Sequence, residues 1–245
     1  MRFIVLSRKV NKGVILAAGD GDRLGFLTAT CPKVLLPVND EEPLIKYPIE
    51  ALVAAGISDI AIVVGYLNDK VIEMLGDGSK FGVRLQYIFN PDYIGGNAVS
   101  LYKARDWTQG EPVVLCMGDH LIGEELVKRL LDRKTFNETL CVDYTPAQYH
   151  QIAEATKVIV DSAGCIQNIG KDLVHWDALD TGVFLLTENF FQTLHELVHH
   201  HGTDIEISNV IRFLINQGHR FDTCDTSGCF WIDVDTEEDL NMVRM

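Results

Sequence analysis

The sequence has little positive charge and no long apolar run. Its 245 residues include 21 Lys and Arg against 35 Asp and Glu, which gives a net charge of −14. Nucleic acids and anionic membrane surfaces are bound through basic patches, so this charge argues against both as partners. No apolar stretch approaches the roughly 20 residues needed to cross a bilayer, so we expect no membrane span.

The sequence also lacks a CxxC pair, and we expect no export signal. Its apolar run Phe3–Leu6 is shorter than the core of a signal peptide, so we expect a cytoplasmic protein. We expect the six cysteines to be reduced thiols: Cys31, Cys116, Cys141, Cys165, Cys224 and Cys229. Apolar residues make up 47% of the chain, which is enough for a folded core.

The stretch that says most about function runs from residue 13 to residue 38. An apolar run, Val14–Leu16, is predicted to be a buried strand. Three glycines follow in a loop: Gly19, Gly21 and Gly25. A glycine-rich loop after a strand can expose backbone N–H groups to phosphate, because glycine permits close approach and positive φ. Arg23 and Lys33 add two cations, so the stretch predicts a site for a nucleotide triphosphate.

Two other phosphate-binding motifs do not fit this loop. The Walker pattern ends in Gly-Lys-Ser/Thr, which is missing here. The dinucleotide fingerprint G-x-G-x-x-G is also excluded, because the spacing from Gly21 to Gly25 is one residue too long.

The loop instead resembles the signature of nucleotidyltransferases with a GT-A-like fold. Their pattern L-A-A-G-x-G-[ST]-R-[LM], then P-K and P-V, is matched by Leu16–Leu24, Pro32-Lys33 and Pro37-Val38, with Asp22 in place of Ser or Thr. This resemblance implies Mg²⁺-dependent nucleotidyl transfer, with Arg23 and Lys33 as catalytic residues. It also implies nucleotide contacts by these residues: Leu16, Ala17, Ala18, Gly19 and Gly21.

The order of predicted elements indicates an α/β fold. Further strands are predicted at Ile60–Val64, Val83–Phe89 and Val113–Met117, with helical patterns between them. Shorter strands are predicted at Thr156–Val160, Ile166–Ile169, Gly182–Leu186 and Trp231–Val234. We expect a single Rossmann-like, mostly parallel mixed sheet flanked by helices, with ligands at the carboxyl ends of its strands. Residues 1–12 are expected to be an extension, either an edge strand or a disordered leader. Residues 13–245 are expected to form one domain, with a nucleotide-binding half at about 13–120 and an acceptor-binding half at about 121–245.

Acidic residues after two strands are candidates for a metal site. Asp119 follows the strand at Val113–Met117, so its carboxylate is well placed to hold Mg²⁺, although a turn or cap role is the alternative. In the family that the loop resembles, an aspartate at this position is a metal ligand and another precedes the Thr that opens the last helix. The resemblance thus implies Asp119 and Asp235 as ligands. Asp233, which shares a strand face with Asp235, is the alternative.

A second glycine turn, Gly95-Gly96, opens a predicted helix. The family resemblance implies that this turn contacts the nucleobase, through Gly96, Asn97 and Ser100. The alternative is a glycine helix start with an Asn cap.

Later motifs resemble a narrower branch, the CTP:inositol-1-phosphate cytidylyltransferases. They are E-A-T-K-V at Glu154–Val158, W-D-A-L-D-T-G at Trp176–Gly182 and W-I-D-V-D-T at Trp231–Thr236. The resemblance covers residue 13 to the end, and implies transfer of CMP from CTP to inositol 1-phosphate. It implies these acceptor-binding residues: Lys171 for the phosphate, Asp180, Thr181 and Gly182 for the ring, and, more weakly, Glu154 and Lys157.

Several alternatives remain open. A solvated surface lysine is the plain alternative for Lys157. The acceptor could instead be phosphocholine or a sugar 1-phosphate with another nucleotide, or the chain could be a non-catalytic nucleotide-binding regulatory domain. We expect small-molecule partners, and the sequence leaves a homodimer open.

One motif points elsewhere. His195–His199 matches H-E-x-x-H, the zinc protease signature. The third-ligand position of the extended signature is Ile205 rather than His. Leu194, Leu197 and Val198 fit a helix that packs its apolar side inward, so we interpret the histidines as its solvent face.

Overall fold

A computed structural model describes residues 10–39, 42–147 and 152–244. The predicted run Phe3–Leu6 lies outside these residues. The strands are β1 Lys12–Ala17, β2 Asp59–Val64, β3 Arg84–Phe89, β4 Val113–Met117, β5 His120–Ile122, β6 Thr139–Asp143, β7 Lys157–Val160, β8 Ile166–Gly170, β9 Ala178–Leu186, β10 Asp222–Asp225 and β11 Trp231–Asp233. The α-helices are α1 Lys46–Ala54, α2 Asn68–Leu75, α3 Asn97–Lys103, α4 Arg105–Thr108, α5 Glu124–Leu131, α6 Glu188–His201, α7 Ile207–Asn216 and α8 Glu237–Val243.

The central sheet is mostly parallel, as predicted. Its strands follow the order β10-β6-β9-β4-β1-β2-β3. β1 pairs in parallel with both β2 and β4, and β2 pairs in parallel with β3. β9 is antiparallel to β4 and to β6, and β7 and β8 form a hairpin beside it. The mixed α/β fold predicted from the sequence is therefore confirmed, with β5, β6 and β10 as strands that the pattern did not predict.

Helices cover both faces of the sheet, so β1 is buried on both sides. Ile15 belongs to one core cluster with residues of α1 and α5, whereas Val14 belongs to another with residues of α3, α6 and α7. Strands buried on both faces read as continuous apolar runs, which is the pattern of Val14–Leu16. Within the described ranges, no helix combines the length and apolar composition of a bilayer span.

A third, smaller core cluster lies at the carboxyl edge of the sheet. It joins Leu24 and Leu36 of the glycine-rich stretch to Leu121 of β5, Ile232 of β11 and Leu240 of α8. β5 and β11 form a separate antiparallel pair beside the central sheet. This cluster packs the glycine-rich loop after β1 against β11, the last strand of the chain.

The amino-terminal boundary of the domain stays a prediction, because residues 1–9 lie outside the described part. β1 begins at Lys12, and Val10 is buried in the same core cluster as Ile15. The Lys12 ammonium donates to the Thr108 carbonyl at 2.9 Å and pairs with Glu111 at 2.7 Å. The chain is thus anchored to the domain from residue 10 onward.

Candidate active site

The strands β1 and β4 end side by side, and their following residues form the centre of the site. The Gly118 N–H after β4 donates to the Leu16 carbonyl of β1 at 2.9 Å. A Cβ at Gly118 would lie 2.6 Å from that carbonyl oxygen, so only glycine fits this close crossing. Asp119 therefore emerges directly beside the loop that follows β1.

The glycine loop folds into a tight turn of 3₁₀ type at Asp22–Thr28. Gly21 has φ 69°, and a Cβ there would lie 2.8 Å from Cβ of Lys33. The Thr28 hydroxyl donates to the Gly21 carbonyl at 3.1 Å and closes the turn. Gly19 differs, because a Cβ at this position would meet nothing within 4 Å. The backbone at Gly19 is therefore open to an approaching ligand.

The four charged residues that the motifs singled out meet at one point. The Lys33 ammonium lies 2.6 Å from Oδ2 of Asp119 and 2.7 Å from Oδ1 of Asp235. Arg23 pairs with the other oxygen of Asp235 at 2.5 Å. Residues distant in sequence thus form a single ionic cluster at the carboxyl edge of the sheet.

The cluster keeps its members charged despite burial. Burial disfavours the Lys33 ammonium, but Asp119, Asp233 and Asp235 outweigh it and raise the pKa of Lys33 above its usual value. Burial would raise the pKa of Asp119, but Lys33 and His120 hold it well below its usual range. The pKa of Asp235 is lowered against burial in the same way, chiefly by Lys33.

His120 is a member of the site that the motifs did not single out. β5 and β11 pair so that His120 stands directly opposite Asp233. Its Nδ1 lies 3.1 Å from Oδ1 of Asp119 and 3.7 Å from Oδ1 of Asp233. Burial opposes the imidazolium, but Asp233, Asp119 and Asp180 raise the pKa of His120 to about 9. Its only sequence signal was its place directly after Asp119.

The predicted acceptor segment lies next to His120 because β9 bulges there. Between the register pairs Leu140–Phe184 and Val142–Asp180, β6 has one residue and β9 has three. Gly182 has φ 76°, and a Cβ on it would lie 2.8 Å from Nε2 of His120. Only glycine fits this contact.

The polar groups of this segment also hold the bulge in place. The Asp180 carboxylate accepts the Gly182 N–H at 2.7 Å, and burial raises the pKa of Asp180 to about 6. The Thr181 side chain is buried, and its hydroxyl donates to the Cys141 carbonyl at 2.9 Å. Contacts of all three residues with an acceptor stay a prediction.

Lys157 is a buried lysine, not the solvated one that was its alternative. Only 7% of the residue is exposed, and its ammonium donates to the Lys171 carbonyl at 2.7 Å. Lys171 itself is exposed, and its charge acts on Asp180. Glu154 is exposed in the turn before β7. Lys157 therefore supports the backbone that presents Lys171.

The predicted nucleobase turn is packed against the segment that leads into α7. The Gly96 N–H donates to the Thr203 carbonyl at 2.9 Å, and the Asn97 side-chain oxygen accepts the Ile207 N–H at 2.8 Å. The Ser100 hydroxyl accepts from the buried Asn90 amide at 2.9 Å. Base contacts by Gly96, Asn97 and Ser100 stay a prediction, and these residues also have structural roles.

Comparison with known proteins identifies the family. A family model described as "Nucleotidyl transferase" matches residues 12–245. The chain belongs to this family. Its members transfer nucleotidyl groups, so the chain is a nucleotidyltransferase.

The similar proteins carry names of two kinds. The "Bifunctional IPC transferase and DIPP synthase" of Aquifex aeolicus is 32% identical over 96% of this chain and 51% of that protein. A "Glucose-1-phosphate thymidylyltransferase" of Streptomyces griseus is 26% identical over 94% of this chain and 64% of that protein. The structure titled "inositol-1-phosphate CTP transferase from T. maritima" has a TM-score of 0.83 at 25% identity and covers 96% of this chain and 95% of its own.

The chain spans about half the length of the bifunctional relatives. It covers 50%, 43% and 51% of those from Rubrobacter xylanophilus, Archaeoglobus fulgidus and Aquifex aeolicus.

The acidic groups of this nucleotidyltransferase fit a divalent metal ion. Carboxylate oxygens are the ligands that Mg²⁺ prefers, and Asp119, Asp233 and Asp235 bring three carboxylates together. Ligand atoms of Asp119, His120 and Asp233 lie within 4.8 Å of one another. Within the described residues, the buried Oδ1 of Asp233 has no hydrogen-bond partner. An unsatisfied carboxylate oxygen beside further carboxylates is the donor set of a cation site.

The H-E-x-x-H histidines lie on α6, where Leu194 and Leu197 are buried as the pattern predicts. Nδ1 of His195 lies 2.8 Å from the Tyr102 hydroxyl. Nδ1 of His199 donates to the His195 carbonyl at 2.9 Å. Both rings are therefore engaged in contacts within the protein.

Proposed function

We propose that this nucleotidyltransferase transfers CMP from CTP to inositol 1-phosphate and releases pyrophosphate. The observation that carries the proposal is the contact of the Lys33–Asp119–Asp235 cluster, through His120, with the Asp180–Gly182 bulge. It puts the predicted phosphate-binding and acceptor-binding residues beside each other. The name of the T. maritima structure supports inositol 1-phosphate and CTP.

In the proposed reaction, an oxygen of the acceptor phosphate attacks the α-phosphorus of CTP. One P–O bond forms, and the bond to the departing pyrophosphate breaks. A phosphate monoester has its second pKa near ~6, so the attacking oxygen is already largely ionised and needs no general base. The barrier then comes mainly from repulsion between two anions, which positioning and charge neutralisation reduce.

The cations of the chain have distinct proposed roles. Lys33 stabilises the α-phosphate as charge develops, and Arg23 with the amides around Gly19 holds the leaving phosphates. Lys171 holds the phosphate of the acceptor. Asp119 and Asp235 hold Mg²⁺, with Asp233 as the alternative to Asp235. When bound, Mg²⁺ supplies charge neutralisation of the triphosphate.

The ring of the acceptor is the proposed ligand of the Asp180–Gly182 bulge. Buried polar groups at the rim of a pocket discriminate in favour of hydroxyl groups, because an unpaired one costs about 1–3 kcal/mol. Only one oxygen of Asp180 is used by the Gly182 N–H. The second oxygen is the proposed partner of a ring hydroxyl.

A sugar 1-phosphate is the second candidate acceptor, since the Streptomyces griseus relative is named as a glucose-1-phosphate thymidylyltransferase. Phosphocholine is the third candidate acceptor. Its quaternary ammonium would need an aromatic or anionic box, and Trp176 and Asp177 of the W-D-A-L-D-T-G motif are residues of that chemistry. One oxygen of the exposed Asp177 carboxylate accepts the Val160 N–H at 2.8 Å, which leaves its second oxygen for such a box.

Pyrophosphate release across a matrix of substrates tests the proposal. CTP, UTP and dTTP would each be paired with inositol 1-phosphate, glucose 1-phosphate and phosphocholine in the presence of Mg²⁺. We expect the highest kcat/KM for CTP with inositol 1-phosphate. A faster reaction of dTTP with glucose 1-phosphate would replace the proposed substrates while keeping the family's chemistry, and no release from any pair would refute catalysis.

A further inference from the structure

We infer that Lys33 is a displaceable counter-ion of the metal centre. It neutralises Asp119 and Asp235 while no metal is bound, and it must leave them before a divalent cation can bind. The inference rests on the proposed function in that it takes these two carboxylates as metal ligands. It adds that the metal ion and the ammonium group compete for the same oxygens.

The competition follows from the contacts of the carboxylates. The Lys33 ammonium lies 2.6 Å from Asp119 and 2.7 Å from Asp235, and only 9% of its side chain is exposed. The remaining oxygens also have cationic partners: Oδ1 of Asp119 faces His120 at 3.1 Å, and Oδ2 of Asp235 faces Arg23 at 2.5 Å. Mg²⁺ must come within about 2.0–2.1 Å of its ligand oxygens. A metal ion that binds both carboxylates therefore competes for their oxygens with the lysine that they share.

The position of Lys33 in the chain gives the displaced ammonium a new partner. Its Cβ lies against Gly21, so the side chain runs from the glycine loop to the carboxylates. A lysine has four flexible side-chain bonds and three donors, so it can turn from a carboxylate to a phosphate bound by that loop. Lys33 thereby pairs with the carboxylates in the empty site and with a phosphate in the loaded site.

This exchange links metal binding to nucleotide binding. A buried charge that loses its partner is costly, so displacing Lys33 by a metal ion alone is unfavourable. A bound triphosphate offsets this free-energy cost, because it pairs with the freed ammonium. Linkage is reciprocal, so the metal ion must strengthen nucleotide binding by the same factor. We therefore expect weak binding of metal alone and tight binding of the two together.

The test is a calorimetric titration of the full chain with Mn²⁺ in the absence of nucleotide. Lys33→Met removes the competing charge and keeps most of the side-chain volume. We expect it to bind Mn²⁺ more tightly by about ten-fold or more, where ten-fold corresponds to about 1.4 kcal/mol. An affinity equal to or weaker than that of the parent protein overturns the inference.

The chain offers a matched control at Lys46. Its ammonium also sits between two carboxylates, 2.6 Å from Glu42 and 3.6 Å from Glu50. Lys46→Met changes the net charge by the same amount but lies outside the proposed site. We expect its Mn²⁺ affinity to match that of the parent protein. An equal gain in both variants would reveal a general charge effect and overturn the inference.

A measurement on the parent protein covers the case in which Lys33→Met does not fold. Lysine side chains labelled with ¹³C at Cε give separate NMR signals, and Lys33→Arg, which keeps the charge, assigns the one from Lys33. Saturating Mg²⁺ without nucleotide is expected to shift the Lys33 signal and to leave the Lys46 signal unchanged. An unchanged Lys33 signal at a Mg²⁺ concentration that binds the protein overturns the inference.

The outcomes separate this inference from the proposed reaction. Equal Mn²⁺ affinity in the parent protein and Lys33→Met removes the counter-ion role and leaves the reaction standing. Failure of every substrate pair to release pyrophosphate removes the reaction, even when Lys33→Met gains metal affinity. The absence of any divalent binding to the parent protein and both variants overturns the metal centre and the inference together.

Discussion

The turn after β1 and the turn after β3 are both rich in glycine and both lie at the carboxyl edge of the parallel strands. In the first, a Cβ at Gly19 would meet nothing within 4 Å. In the second, a Cβ at Gly96 would lie 2.1 Å from the Ile205 carbonyl oxygen. The first glycine leaves room for a ligand, whereas the second is required by packing within the protein. Similar sequence patterns thus arise from different physical needs.

The groups around the two turns show the same difference between ligand binding and internal packing. The first turn contributes Arg23, and it packs against Lys33 beside two carboxylates. The second turn is bound through backbone hydrogen bonds to the segment before α7, such as Gly96 N–H to Thr203 at 2.9 Å. We therefore expect substitutions in the first turn to change ligand binding and substitutions in the second to change stability.

Gly96→Ala is expected to have the largest effect on stability. The added methyl group would overlap backbone atoms of Ile205 at 2.1 Å, so the segment before α7 must move away. Overpacking of this kind costs typically 1–3 kcal/mol and occasionally more, and overlap with backbone places Gly96→Ala at about 3 kcal/mol. Urea unfolding measures the loss. A free energy of unfolding within experimental error of the parent would show that the second turn is as open as the first.

Asp119→Ala and Asp235→Ala should have the largest effect on activity, because each removes a proposed metal ligand beside the first turn. We expect kcat to fall by ~10²-fold or more in each variant, the scale of losing a main electrostatic stabiliser. The folded state should persist, as judged by circular dichroism, because neither residue belongs to the apolar core. Loss of activity in Asp233→Ala together with an active Asp235→Ala would make Asp233 the ligand instead.

Gly19→Ala should act in the opposite way to Gly96→Ala. The methyl group meets no protein atom within 4 Å, so stability should stay within about 0.5 kcal/mol of the parent. It would stand where a phosphate is proposed to approach the backbone, and CTP affinity should fall by about ten-fold, or about 1.4 kcal/mol. Calorimetric titration with CTP and Mg²⁺ measures this, and an unchanged affinity would place the phosphates elsewhere.

The double variant His195→Ala, His199→Ala should have the smallest effect. Both residues lie on α6, outside both turns and outside the cluster at Asp119. Because both residues lie outside the proposed site, we expect transferase activity within about three-fold of the parent. Stability should also change little, since surface substitutions usually cost less than about 0.5 kcal/mol. We also expect no peptidase activity in the parent. Zinc-dependent cleavage of casein that disappears in the double variant would contradict this interpretation.

Much of the fold was predictable, because β1, β2 and β4 are continuous apolar runs between helical patterns. β6 and β10 were missed because both carry polar residues at buried positions. Asp222 of β10 is buried, and it pairs with Arg133 at 3.1 Å and Arg220 at 2.5 Å. A strand that hides its polar groups in ion pairs has no apolar pattern to recognise.

The centre of the site was predictable from motifs, and its edges were not. The structure brings together Arg23, Lys33, Asp119 and Asp235, the four charged residues taken from the beginning, middle and end of the resemblance. His120 was missed because its role comes from β5 and β11, two strands of three residues that pair across distant parts of the chain. The burial of Lys157 was equally hidden, because lysine is usually exposed and its partners are backbone carbonyls.

Hydrogen–deuterium exchange in the presence of CTP and Mg²⁺ is the most direct test of the first turn as the phosphate site. We expect the amides of residues 19–25 to exchange more slowly with both ligands than with neither. The turn at Ser79–Phe81, which precedes β3 at the opposite edge of the sheet, should be unaffected and serves as the reference. Unchanged exchange at residues 19–25 under conditions that saturate the protein with CTP would contradict the assignment of the triphosphate to this loop.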